Sequence, residues 1–110
     1  MFETMTQSKK KTTKRNQNDY FEITSTESIS NKSEFKRFLN WISAEYELNL
    51  QDNQNGLKIY FPWGFLKISE KDYENKVFNF RISIQSKYEL KANQTKNQVL
   101  SILKHLKHLY

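Results

Sequence analysis

Apolar residues recur along the chain with two different periods. Between Tyr20 and Thr24 the inward candidates are Phe21 and Ile23, two residues apart, which predicts a first strand. Phe35, Phe38, Leu39, Ile42 and Tyr46 then follow at helical spacing, the single stripe of an amphipathic helix. Asn31 stands where an N-cap belongs, with Glu34 three residues on, as a capping box requires. Leu48 and Leu50 predict a short second strand, Leu57, Ile59 and Phe61 a third, and Leu66 and Ile68 a fourth. The segment from Phe78 to Ile84 alternates without a break and predicts a fifth. Asn55-Gly56 suits a tight turn at positive φ, and Pro62 marks a turn because it cannot donate to a ladder. The polar stretch from Ser69 to Lys76 reads as a loop. Val99, Ile102, Leu103, Leu106 and Tyr110 form the stripe of a closing helix, with Thr95 and Gln98 as its capping box.

The expected order is β-α-β-β-β-β-α. Short connections favour antiparallel pairing. Each helix has one apolar face, so both should cover the same side of the sheet. The expected fold is therefore α+β: a two-layer sandwich with two helices on one face and the other face open. Residues 19–110 read as a single domain. Residues 1–18 are rich in Lys, Thr, Gln and Asn with almost nothing to bury, and read as a disordered basic tail.

Composition narrows the function classes. A chain of 110 residues has room for one core. It has no cysteine, which excludes disulfides, thiolate metal sites and a Cys nucleophile. No apolar run approaches the ~20 residues of a membrane span. The N-terminal basic residues are not followed by the apolar segment of a secretory signal, so a cytoplasmic location and no membrane partner are expected. The net charge is +6, yet Lys9, Lys10, Lys11, Lys14 and Arg15 stand in the first 18 residues against Glu3 alone. The basic excess is thus mostly a tail property. It marks those five residues as a polyanion-binding candidate with affinity for nucleic acid but no sequence specificity.

A hairpin turning at Pro62-Trp63 puts Tyr60 opposite Phe65 and Lys58 opposite Lys67 on the open face. Arg81 shares that outward parity when Phe80 and Ile82 point in. An aromatic pair flanked by three cations is suited to stacking a base or a planar anionic ligand. His105 and His108, three residues apart on the last helix, are the only histidines, and no third metal ligand accompanies them. They stand as metal candidates without a site, and no cofactor is expected. No serine sits in a nucleophile-elbow context, and two glycines are too few for a Gly-rich phosphate loop, so no catalytic residue is assigned and no enzyme is expected.

The order of elements resembles the TATA-binding-protein-like fold. The opening strand to Thr24, the segment Ile59-Tyr60-Phe61-Pro62-Trp63-Gly64-Phe65-Leu66-Lys67-Ile68 and the closing Leu103-Lys104-His105-Leu106-Lys107-His108-Leu109 resemble a small bacterial domain family of unknown function. Members of that family occur alone or fused to siderophore-interacting flavoproteins. Their first helix usually ends in a histidine-containing stretch, whereas residues 40–46 here contain none. The resemblance implies a link to siderophore or iron handling. Together these readings give a non-enzymatic binding or accessory domain that uses its open sheet face toward an unidentified ligand or protein. The alternatives are nonspecific nucleic-acid binding by tail and sheet together, and a homodimeric interaction module, so monomer and homodimer both remain open.

Overall fold

The computed structural model describes residues 11–15 through their backbone and residues 20–109 in full. Eight elements follow one another: β1 (Lys11–Arg15), β2 (Phe21–Ile29), α1 (Lys32–Glu45), β3 (Gln51–Asp52), β4 (Leu57–Phe61), β5 (Gly64–Glu74), β6 (Val77–Ser86) and α2 (Glu89–Leu109). The six strands make one antiparallel sheet in the order β1-β2-β6-β5-β4-β3. Both helices pack on the same face of it, giving the two-layer α+β sandwich.

The core forms where the two apolar periods meet. Phe78, Phe80, Ile82 and Ile84 face inward from β6, Leu66 and Ile68 from β5, Leu57 and Ile59 from β4, and Ile23 and Ile29 from β2. Phe35, Phe38 and Ile42 of α1 come down on them, with Ala92, Val99, Leu103 and Leu106 of α2. The Phe80 ring lies 5.0 Å from Phe35 and 5.3 Å from Phe38, both tilted, so three aromatic side chains tie α1 to the sheet. Asn31 caps α1, its Oδ1 accepting from the Glu34 N–H at 2.9 Å. Gly56, at φ 111°, is required because a Cβ there would overlap the Ile68 carbonyl oxygen.

Five local expectations change. Lys11–Arg15, read as part of a disordered tail, form β1 along the edge of β2, while residues 1–10 and 16–19 lie outside the described residues. The ladder needs only backbone groups, so a polar segment can join it. Leu48 and Leu50 are not a strand: they follow α1 in a turn and are 97% and 74% exposed. The strand begins instead at Gln51, whose Nε2 donates to the carbonyls of Ser43 (3.0 Å) and Tyr46 (2.8 Å) and so satisfies the end of α1. Residues 69–74, expected as loop, continue β5, which turns into β6 through Asn75 and Lys76 at φ 54° and 66°. β2 likewise runs on to Ile29. Finally, α2 starts at Glu89 rather than near Thr95. Ala92 and Thr95 extend the buried stripe of Val99, so Thr95 packs inside the helix instead of capping it; Tyr110 lies outside the described residues.

Truncating Phe80 removes the ring that both α1 phenylalanines touch. Phe80→Ala is expected to cost roughly 3–5 kcal/mol in urea unfolding, and a cost under about 1 kcal/mol would contradict this account of the core.

Candidate functional site

Among the described residues, no helix covers the outer face of the sheet. Its chemistry follows from the strand register, since residues facing the core alternate with residues facing away. Tyr60 pairs with Phe65, Lys58 with Lys67, and Arg81 with Ser69. Ile59 and Leu66, between them, are fully buried on the helix side. Lys58, Tyr60, Phe65, Lys67 and Arg81 therefore share one face of three adjacent strands. Arg81 stands one row along from Lys67, which is opposite Ser83, a diagonal spacing of about 7–8 Å.

Two lysines directly opposite each other repel. The Lys58 ammonium escapes by folding over the aromatic pair, 4.2 Å from the Phe65 ring centroid and 5.0 Å from that of Tyr60. This places a positive charge on the ring faces themselves. Lys67 and Arg81 remain exposed, and among the described residues neither makes an ion pair. Toward the sheet edge, Lys58, Tyr60 and Lys67 border a shallow 250 Å³ depression that also reaches Asp52 and Gln54. The Asp52 carboxylate accepts from the Gln54 N–H at 2.9 Å, so part of its charge is spent on its own turn. The rest of the open face carries the neutral Thr24, Thr26, Ser83 and Gln85, but also two carboxylates, Glu22 opposite Gln85 in the row of Phe65 and Asp72 opposite Asn79.

The hairpin that presents Tyr60 and Phe65 is anchored from the other side. Phe61 and Trp63 stack at 4.4 Å and 3°, and the Tyr46 ring meets Phe61 edge-on at 5.3 Å. Burial, with Glu45 beside it, pushes the Tyr46 phenol up to about 12. The signal for this anchor was present in the sequence as Phe61 and Trp63 around Pro62. Its third member, Tyr46, becomes identifiable only once α1 is docked.

The other candidates are dispersed. His105 and His108 are exposed on α2, and the His105 ring lies 5.8 Å from Trp41. His108 borders a depression with Glu27, Lys104 and Lys107. Among the described residues no three ligating side chains come together. Lys11, Lys14 and Arg15 lie in β1, and Lys9 and Lys10 lie outside the described residues. A depression of 480 Å³ lies elsewhere, between α1 and the β3–β4 loop. Two of its polar side chains, Ser43 and Gln51, are hydrogen-bonded to each other at 2.6 Å. Among the described residues no helix is long and apolar enough to cross a membrane. No protein-family model matches the chain, and no curated protein is significantly similar to it.

Tyr46 makes the anchor sensitive to base. Its folded pKa is raised above the ordinary value of 10.0, so its contribution is complete below pH 10 and is lost as pH rises toward 12. A Tyr46→Phe variant should lose less stability than the wild type between those pH values in urea titrations; parallel losses would show that Tyr46 is not the titrating group.

Proposed function

We propose that the protein is a non-enzymatic binding domain whose open sheet face takes an anionic ligand with a planar part. The observation that carries this reading is the Lys58 ammonium lying over the Tyr60 and Phe65 rings, with Lys67 and Arg81 on the same face. A ligand with a flat body and a negative group would stack beside the rings while its charge meets Lys58 and Lys67. The resemblance to the small bacterial family extends the reading to an accessory part in siderophore or iron handling, carried out in the cytoplasm.

The test is a titration of isotope-labelled protein with salicylate, a planar aromatic anion, followed by amide shifts. Saturable shifts at Lys58, Tyr60 and Phe65 are expected, reduced at least about tenfold in affinity by the Lys58→Ala/Lys67→Ala pair, since charged hydrogen bonds contribute roughly 1.5–3 kcal/mol. Absence of saturable shifts at those three residues would sink the reading.

A second reading is favoured by β1. Its basic run Lys11–Arg15 is hydrogen-bonded into the same sheet as the aromatic pair, three strands from β5 and roughly 14 Å away. A single strand of nucleic acid crossing β2 and β6, past Thr24, Thr26 and Ser83 and also past the Glu22 carboxylate, would run between this basic strand and the aromatic pair. For fluorescein-labelled oligothymidine this predicts affinity that falls steeply between about 50 and 200 mM salt. It also predicts a loss of about tenfold in Phe65→Ala, from one stacked base. Affinity unchanged by Lys11, Lys14 and Arg15→Gln would remove the tail from this reading.

A further inference from the structure

Seven large apolar side chains stand exposed among the described residues, and five of them gather at one end of the sandwich: Leu48, Leu50, Tyr60, Tyr88 and Leu90. The other two, Tyr73 and Leu109, lie toward the opposite end, near the β5–β6 turn and at the end of α2. The grouping follows from the chain path. Leu48 and Leu50 leave the end of α1 beside Tyr60, whose N–H donates to the Leu50 carbonyl at 2.9 Å and whose carbonyl accepts from Asn49 at 3.1 Å. The Lys87 N–H donates to the Trp63 carbonyl at 2.8 Å, which brings Tyr88 and Leu90 to the same end as the β4–β5 turn. None of the five is needed for the core. Leu48, at 97% exposure, touches almost nothing in its own chain.

Burying such residues is favourable, and their grouping at one end offers a second copy apolar surface to cover. Together they expose on the order of 600 Å² of largely apolar surface at this end. That is close to the ~800 Å² per partner of a stable interface once a polar rim is added. The charges around the patch have both signs: exposed Glu45 and Glu47 flank the leucines, while Lys87 and Lys91 flank Tyr88 and Leu90, with Glu89 between. A two-fold axis brings the acidic side of one copy against the basic side of the other, and the same patch then serves both copies. We propose that this end is the contact surface of a symmetric homodimer. The opposite sheet edge is unsuited to that task. There β1 reads Lys11-Thr12-Thr13-Lys14-Arg15, and lysines along an edge discourage pairing with another copy.

Light scattering coupled to gel filtration tests this on the full chain. At about 100 µM the wild type is expected at the mass of two chains, and Leu48→Asp/Leu50→Asp at the mass of one. Because both leucines are exposed, the melting temperature of the variant's own chain should shift by no more than about 2 °C when compared at concentrations where both proteins are monomeric. The variant should keep its salicylate shifts at Lys58 and Phe65, which separates the two leucines from the ligand reading, Tyr60 being shared by both surfaces. A wild type that is monomeric at about 0.5 mM overturns the proposal, as does a variant that stays dimeric. A monomer that instead binds lipid vesicles through the same leucines overturns it in favour of a membrane surface.

Discussion

Everything on the outer face depends on the contact of Phe35 and Phe38 with Phe80. These rings are fully buried, and with Phe78 they fix α1 against the middle of the sheet. β6 is paired on both sides, by β2 and β5, so its orientation propagates in both directions. Once Phe80 and Ile82 face the helices, Arg81 must face away. A slip of one residue would reverse every side chain of the strand and expose the apolar set, so the register is held by the hydrophobic energy of the whole core. The candidate site is in this sense the reverse side of the core.

The arrangement within the site follows from a local conflict. Lys58 and Lys67 are forced opposite each other by pairing that buries Ile59 and Leu66. The repulsion is relieved by turning one ammonium onto the neighbouring rings, where the negative ring faces accept it. The result is a surface that already holds a cation over aromatic faces without any ligand. It is anchored from beneath, where Phe61 and Trp63 stack around the Pro62 turn and the Tyr46 ring meets Phe61 edge-on. The two sides of one hairpin thus divide the work: one side packs, the other is available to bind.

The two ends of the strand order also differ in chemistry. β1 closes one edge with lysine and arginine in its sequence. At the other edge β3 is only two residues long, and the segment before it projects leucines into solvent. Those leucines fit a short strand pattern equally well in the sequence. Gln51 decides against it by spending its amide on the last carbonyls of α1, which keeps residues 46–49 in a turn.

The sequence by itself determined the elements that carry strong periodicity and the register of the central hairpin. The alternation of Phe78 to Ile84, the stripe of α1, the Asn31 cap and the opposition of Tyr60 to Phe65 all appear as read, because each rests on contacts close along the chain or on a single turn. The tertiary structure decided the rest. Thr95 has the pattern of a cap, yet it is buried within α2 because Ala92 prolongs the helix's contact with the core. Lys11–Arg15 became a strand because β2 offered an open ladder, and residues 69–74 because β6 did. Leu48 and Leu50 lost their place inside for want of a strand to hold them there. In each of these cases the deciding partner lies far away in sequence, and its hydrogen bonds or apolar surface outweigh a local preference worth about 1 kcal/mol or less.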